Sequence, residues 1–179
     1  MTTIGIIGAG EVGSQIARAA LANGYRVVIA VPLKVVNDLP VRELAGKIVL
    51  DTNNYMVWRD GNIPAVDSGS RTIHELRQEQ LPTSKVAKAF THIQAPRLLT
   101  SARPAGAPDR LALSVSSDFP EAVELVTRLY DQFGFDTVDN SPLSESWRTE
   151  PGQPAWLRHA QQGRDELAMN LRNARRVTY

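Results

Sequence analysis

Residues 3–13 read Thr-Ile-Gly-Ile-Ile-Gly-Ala-Gly-Glu-Val-Gly, an apolar run that leads directly into closely spaced glycines. The β-branched run Thr3–Ile7 is typical of a strand, and the alanine-rich segment Val12–Ala22, which ends before Gly24, is typical of a helix. A glycine-rich turn between a strand and a helix is the context of the dinucleotide-binding fingerprint G-x-G-x-x-G. The sequence therefore predicts a phosphate-binding turn at Gly8-Ala9-Gly10-Glu11-Val12-Gly13.

Each glycine of this turn has a physical task. Gly8 permits the tight turn, Gly10 lets the backbone approach a pyrophosphate, and Gly13 allows the helix to pack closely on the strand. The phosphate would lie at the helix N-terminus, where backbone N–H groups and the helix dipole attract an anion. Glu11 opposes this interpretation, because its carboxylate would repel a diphosphate unless it points away. A glycine-rich turn that binds no ligand is the alternative.

Further apolar runs along the chain predict five more strands, and capping motifs predict two more helices. Thr72 with Glu75 matches a capping box, and the helix it starts runs to about Gln80; Asp118 with Glu121 starts another, which Gly134 closes. Strands that alternate with helices predict an α/β fold with a Rossmann-like, doubly wound, mostly parallel but shortened sheet. The predicted strands are Arg26–Val31, Lys47–Leu50, Lys85–Phe90, Leu111–Val115 and Phe135–Val138.

The end of the chain predicts a separate amphipathic helix. Its apolar residues follow helical spacing over Ala155–Arg176, and its arginines are expected to form a solvated face rather than a partner-binding surface. We therefore expect a dinucleotide-binding domain over residues 1–154 and a C-terminal helix over 155–179, which would suit a homodimer. The segments Arg103–Arg110 and Asn140–Pro154 are predicted to be loops.

Composition excludes several classes of protein. The 179 residues carry a formal net charge of +1 and contain no cysteine, so disulfide scaffolds, thiolate metal sites and cysteine nucleophiles are excluded and nucleic acid is not an expected partner. The chain has no apolar run long enough to span a membrane, and its N-terminus does not have the pattern of a signal peptide. We expect a cytoplasmic protein that binds small molecules.

Two polar segments follow predicted strands and are candidates for ligand contact. Asp51-Thr52-Asn53-Asn54 would form either one wall of a nicotinamide pocket or a polar turn whose side chains cap backbone groups, because ligands of open α/β sheets bind at the carboxyl ends of the strands. Thr91-His92-Ile93-Gln94-Ala95 follows the next strand. His92 taken alone is more typical of a structural residue.

The remaining candidates give no catalytic or metal site. His74 and His159 have no metal-ligand partner at a useful spacing, and no serine lies in a G-x-S-x-G motif. The tryptophans could line a ring-binding cleft, but packing in the core or at an interface is the expectation for all of them: Trp58, Trp147 and Trp156.

Six blocks extend from Ile4 to about Trp156: GIIGAGEVG, VPLKVV, GKIVLDTNNY, KVAKAFTHI, ARPAGAPDR and VDNSPLSESW. They resemble successive blocks of one family, the coenzyme F420-dependent NADP oxidoreductases. The resemblance implies a Rossmann domain that passes a hydride between NADPH and an 8-hydroxy-5-deazaflavin with no catalytic side chain and no metal. It places Gly8, Ala9, Gly10, Glu11, Val12 and Gly13 at the pyrophosphate, Val31, Pro32, Leu33 and Asn53 beside the nicotinamide, and Thr91, His92, Ile93 and Ala95 at the second ring.

The sequence departs from this family after the second strand. Family members carry a Ser-Arg pair for the NADP 2′-phosphate and a further βαβ unit of about 30 residues, whereas here Ala30 is followed directly by Val31. Lys34 is the nearby cation, and no acidic residue stands where a ribose reader is expected. The departure leaves two alternatives open: a degenerate, non-catalytic dinucleotide-binding protein, and a reductase that acts on a flavin or a small carbonyl or imine.

Overall fold

The computed structural model describes residues 3–7, 10–30, 39–156 and 162–176. Several residues named above lie outside these ranges: Gly8, Ala9, Val31, Pro32, Leu33, Lys34 and His159. The described residues form a six-stranded sheet in the order β2-β1-β3-β4-β5-β6. Its strands are β1 Thr3–Ile7, β2 Arg26–Ala30, β3 Ile48–Asp51, β4 Lys85–Lys88, β5 Ala112–Ser117 and β6 Asp136–Asp139.

Three long helices and several short ones connect and cover these strands. The helices are α1 Glu11–Ala22, α2 Val41–Leu44, α3 Val57–Asp60, α4 Pro64–Asp67, α5 Ile73–Gln80, α6 Ala95–Thr100, α7 Pro120–Gln132 and α8 Arg164–Asn173. A 3-10 helix spans Leu143–Thr149. Among the described residues, no helix has the length and apolar character needed to cross a bilayer.

The pairing of the strands confirms the predicted mostly parallel α/β sheet. β1 pairs in parallel with β2 and with β3, β3 pairs in parallel with β4, and β5 pairs in parallel with β6; the β4–β5 pair is antiparallel. The chain runs from β1 to β2 on one side and then returns to β3 on the other side of β1. Such a reversal of strand order opens a crevice at the carboxyl ends of the strands, between β1 and β3.

The core lies between this sheet and helices α1 and α7. Ile4 and Ile6 of β1 are buried, and α1 presents Ile16 and Ala20, four positions apart, to the same cluster. Gly5 lets the neighbouring elements approach, since a Cβ at this position would lie 3.0 Å from Leu44 Cδ2. Strand β1 and helix α1 therefore pack closely in this part of the core.

One predicted capping motif is confirmed and the other is wrong. At the start of α5, the backbone N of Glu75 donates to Thr72 Oγ1 (3.1 Å) and the backbone N of Thr72 donates to Glu75 Oε2 (2.6 Å), as a capping box requires. Helix α7 begins instead at Pro120 with no side-chain cap. The carboxylate of Asp118 accepts a hydrogen bond from the backbone N of Leu143 (2.9 Å), so it serves a distant loop rather than its own helix.

The C-terminal helix is shorter than predicted. It begins at Arg164, after Gly163 as its N-cap, and not at Ala155. Its buried face, Leu167 and Leu171, packs with Ala112 and Ala155 near β5. The arginines of this segment that the structure describes are exposed, as predicted: Arg164, Arg172, Arg175 and Arg176.

Candidate cofactor-binding site

A pocket of about 840 Å³ lies at the carboxyl ends of β1, β3 and β4. Its walls come from three segments that are far apart in sequence: the start of α1, the loop after β3 and the loop after β4. Arg59, Asp60 and Trp156 complete the lining. The pocket brings together these residues that the sequence analysis singled out: Gly10, Glu11, Val12, Gly13, Asn53, Thr91, Ile93 and Ala95.

The N-terminus of α1 forms the anion-attracting part of this pocket. Its N-cap residue, Gly10, is extended (φ −71°, ψ −168°), and no described side chain caps the helix. Among the described residues, no atom lies within 4 Å of where a Cβ at Gly10 would be, so these residues leave the space beside its backbone open. An uncapped helix N-terminus next to open space fits a diphosphate, which would approach the backbone N–H groups there.

Glu11 lies in the first turn of α1 and also lines the pocket. A carboxylate at this position stabilises the helix through its dipole. The same negative charge competes with an anionic ligand for the helix N-terminus. Glu11 thus remains a feature that weakens, rather than strengthens, the fit to a diphosphate.

The loop after β3 combines the two structures expected for it. Asp51 Oδ1 accepts hydrogen bonds from the backbone N of Asn53 (3.1 Å) and from Asn53 Nδ2 (2.8 Å), which makes a polar turn capped by side chains. Asn53 also lines the pocket. Asn54 Nδ2 donates to the carbonyl O of Thr91 (2.8 Å) and so ties this wall to the loop after β4.

Behind this wall lies a buried polar cluster that the sequence analysis missed. Asp51 Oδ2 lies 3.5 Å from Arg77 Nε and 4.0 Å from His74 Nε2, and all three side chains are buried. Burial lowers the pKa of His74 to about 3, helped by the charge of Lys88, so His74 is neutral at pH 7. One sequence signal was available: Arg77 comes four residues after the apolar Ile73, and this spacing places both on one face of a helix. The structure confirms that both are buried on α5.

The structure does not bring His92 to the pocket. Its Nε2 accepts a hydrogen bond from the backbone N of Ser114 (2.9 Å) and lies 3.1 Å from Ser114 Oγ. Burial lowers the pKa of His92 to about 4, and the charge of Lys88 acts in the same direction. The neutral His92 therefore links the loop after β4 to strand β5 through a hydrogen bond. Its neighbours Thr91 and Ile93 line the pocket.

Phe90, which also lines the pocket, has a strained backbone. Its φ of 58° lies in the left-handed region, which a bulky side chain rarely adopts. Its backbone N donates to Tyr130 Oη (3.0 Å), and Tyr130 Oη donates to the carbonyl O of Ser114 (2.8 Å). Burial raises the pKa of Tyr130, so this hydroxyl keeps its proton and holds the strained loop to β5.

Helix α3 stands at one side of the pocket. Arg59 Nε pairs with Asp60 Oδ1 (2.8 Å), and its guanidinium also donates to the carbonyl O of Asn54. The hydrogen bond to Asp60 raises the pKa of Arg59 above its ordinary value. Arg59 therefore joins helix α3 to the loop after β3, through its bond to the carbonyl O of Asn54.

The tryptophans behave differently from one another. Trp58 does not pack in the core, because 81% of this residue is exposed, and its packing at an interface stays a prediction. Trp147 packs as predicted, with the guanidinium carbons of Arg148 and Arg176 at 4.6 Å and 5.7 Å from its ring centre. Trp156 lines the pocket and offers it an aromatic surface.

Comparison with known proteins gives the fold its context. No family model matches the chain. The Escherichia coli (strain K12) protein YjhV is 40% identical over 53 residues, which are 30% of this chain and 39% of YjhV, so the match spans about two fifths of that relative's length.

Two solved structures resemble most of the chain in three dimensions. The hypothetical protein SMa0349 from Sinorhizobium meliloti has a TM-score of 0.66 and 25% identity over 92% of this chain and 97% of that one. A candidate F420-dependent NADP reductase from Arthrobacter sp. FB24 has a TM-score of 0.62 and 20% identity over 82% of this chain and 87% of that one. The protein therefore has the Rossmann-like α/β fold on which dinucleotide-binding reductases are built.

Proposed function

We propose that this protein is an NADP(H)-dependent oxidoreductase. The observation that carries the proposal is the 840 Å³ pocket at the point where the strand order reverses between β1 and β3. In open α/β sheets, ligands bind at such a reversal, and a dinucleotide places its pyrophosphate on the helix N-terminus that follows the first strand. Both features coincide in this pocket.

Each wall has a distinct role in this proposal. Gly10 and Gly13, continued by Gly8 and Ala9 outside the described residues, would hold the pyrophosphate. Asn53 on one side would flank the nicotinamide, and the loop Thr91–Ala95 on the other would position the second ring. The resemblance of the sequence adds Val31, Pro32 and Leu33, also outside the described residues, to the nicotinamide side.

Bound nicotinamide nucleotide supplies hydride transfer as its chemistry. The chain contributes alignment and a site with little water. Val12, Phe90, Ile93 and Pro96 give the pocket apolar walls, and Trp156 adds an aromatic surface. His92 and Tyr130 hold the loop after β4 in place without taking part in proton transfer.

We assign the second ring to an 8-hydroxy-5-deazaflavin, the ring system of coenzyme F420. Two observations support this assignment: the sequence blocks described above, and the similarity in fold to the Arthrobacter protein. A flavin or a small carbonyl or imine acceptor would fit the same fold, since a fold does not fix the acceptor.

The test is a titration of the purified protein with NADPH and with NADH, followed by nicotinamide fluorescence. Gly10→Val is the matched variant, because a Cβ at Gly10 meets no atom of the part of the chain that the structure describes within 4 Å, and the φ of −71° suits any residue. We expect its melting temperature without nucleotide to equal that of the wild type, and its affinity for NADPH to fall by about tenfold or more. Equal affinity in the two proteins would contradict the proposal.

Turnover is then measured with NADPH and the oxidised deazaflavin, by the loss of deazaflavin absorbance.

A second candidate function is dinucleotide binding without catalysis. It is favoured by Glu11 in the pocket and by β2 as the edge strand of the described sheet, on the side where the adenosine would lie. Binding of NADPH without reduction of deazaflavin, flavin or imine would support this second candidate.

A further inference from the structure

Asp51 is a buried carboxylate that sits directly behind the pocket wall. It is the last residue of β3, its side chain is 0% exposed, and it does not line the pocket itself. One oxygen, Oδ1, is engaged by Asn53, and the other, Oδ2, faces Arg77 and His74 on α5. The residue thus links the interior of the protein to a residue of the pocket.

Burying this carboxylate is costly, and the structure shows what offsets the cost. Removing a carboxylate from water is unfavourable unless charges and hydrogen bonds compensate. Arg77 supplies the nearest positive charge, with Nε at 3.5 Å from Oδ2, and the charge of Lys88 also acts on Asp51. His74 is neutral and contributes no charge. The hydrogen bonds come from Asn53, at 3.1 Å and 2.8 Å.

Two hydrogen bonds to Asp51 restrict the backbone and the side chain of Asn53. A single oxygen of Asp51 accepts from both the backbone N and the side-chain Nδ2 of Asn53, which fixes the backbone and the side-chain torsions together. The amide is planar, so its carbonyl oxygen lies at the end turned away from Asp51. The hydrogen bond from Nδ2 to Asp51 Oδ1 therefore fixes which end of the Asn53 amide is turned towards Asp51.

We propose that Asp51 is a positioning residue that acts through Asn53 to set the affinity of the pocket for nicotinamide nucleotide. This inference rests on the proposed function, because it requires that a nicotinamide nucleotide binds beside Asn53. The charge of Arg77 acts on the second oxygen of Asp51, with Nε 3.5 Å from Oδ2 and no hydrogen bond between them. Asp51 itself touches no ligand.

The test is a double-mutant cycle on NADPH affinity with Asp51→Ala, Asn53→Ala and the double variant. We expect Asp51→Ala to raise the Kd by about tenfold in the wild-type background, because the Asn53 side-chain amide loses its hydrogen bond to Asp51, and by less than about twofold in the Asn53→Ala background. The melting temperature should fall in both backgrounds, because Asp51→Ala leaves the buried Arg77 without its counter-charge whether or not the Asn53 side chain is present.

Asp51→Asn provides the conservative rescue. Its side-chain oxygen still accepts from Asn53 while its charge towards Arg77 is lost, so we expect near wild-type affinity together with a lowered melting temperature. Should Asp51→Ala fail to fold, Asp51→Ala/Arg77→Met also removes the orphaned cation, and the same cycle is measured with it.

The outcomes separate the two proposals. A wild-type protein that binds neither NADPH nor NADH overturns the proposed function and this inference with it. A wild-type protein that binds NADPH, with an equal affinity loss for Asp51→Ala in both backgrounds or with no loss in either, overturns the inference alone. Loss confined to the background that retains Asn53 supports it.

Discussion

Glu11 is the pocket residue whose charge most directly opposes a bound diphosphate. We expect Glu11→Gln to increase NADPH affinity by about three- to tenfold at low salt, because it removes a like charge from the helix N-terminus. The gain should shrink as salt is added, since an exposed charge is screened. Titrations at two ionic strengths measure both effects.

Glu43→Gln on α2 is the matched control, because Glu43 is exposed and does not line the pocket. It removes the same charge from the molecule as a whole. Equal gains from the two variants would mean that net charge, and not the position of Glu11, determines the effect.

At the scale of elements, the connection from α7 to β6 depends on one glycine. Gly134 has a φ of +85°, and a Cβ there would lie 2.7 Å from the backbone N of Arg103 and 2.8 Å from Ala102. We expect Gly134→Ala to lower the free energy of unfolding by about 2 to 4 kcal/mol, because it adds a backbone clash to the strain of a positive φ. Urea unfolding measures this loss.

Gly152→Ala separates the clash from the strain. Gly152 has a φ of +91°, but its Cβ would meet no atom of residues 3–7, 10–30, 39–156 or 162–176 within 4 Å. Its replacement should therefore cost only about 1 kcal/mol, the strain alone. Losses of the same size for both glycines would contradict the role of the close contact with Ala102 and Arg103.

The strands were the most predictable elements. Runs such as Thr3–Ile7 and Lys85–Phe90 are apolar and bounded by turn residues, so their position follows from local sequence, and the observed strands differ from the predicted ones by only a few residues. The predicted start of the C-terminal helix at Ala155 was wrong, because side-chain periodicity does not show which backbone groups form hydrogen bonds outside the helix. The carbonyl O of Gln162 accepts from the backbone N of Ala112 (2.9 Å), which holds Gln162 beside β5 and outside the helix.

The candidate site was predictable where it lies at strand ends and not where it depends on distant contacts. Asn53 and the loop at Thr91 follow strands directly, and strand ends meet at one edge of a parallel sheet. The bond between Phe90 and Tyr130 joins residues 40 positions apart, and the pair of Asp51 and Arg77 joins β3 to α5. Such pairings follow from the packing of whole elements, which no local pattern contains.

At the scale of the whole molecule, two neutral histidines make stability depend on pH. The pKa is lowered to about 4 for His92 and about 3 for His74, from an ordinary value of 6.5. Below pH 6.5, the unfolded chain therefore binds protons that the folded protein does not, and we expect stability to fall as the pH is lowered from 6.5 towards 4. Urea unfolding at several pH values across this range measures the slope.

His92→Gln isolates one of these contributions, because the glutamine oxygen can still accept from the backbone N of Ser114. We expect the variant to lose less stability than the wild type between pH 6.5 and pH 4.5. Glu150, whose pKa burial raises, contributes a slope of opposite sign in both proteins and cancels in the comparison. Parallel pH profiles for the two proteins would contradict the assignment.

Among the described strands, β2 is bonded along one side alone, to β1. The outer row of N–H and C=O groups of such a strand is a template that an added strand can satisfy. We therefore expect that a strand and helix inserted after Ala30 would extend the sheet at β2, while the pocket walls at Asn53 and Thr91, which follow β3 and β4, stay unchanged. If the proposed function holds, this edge of the sheet determines which nucleotide is preferred, and the pocket walls do not.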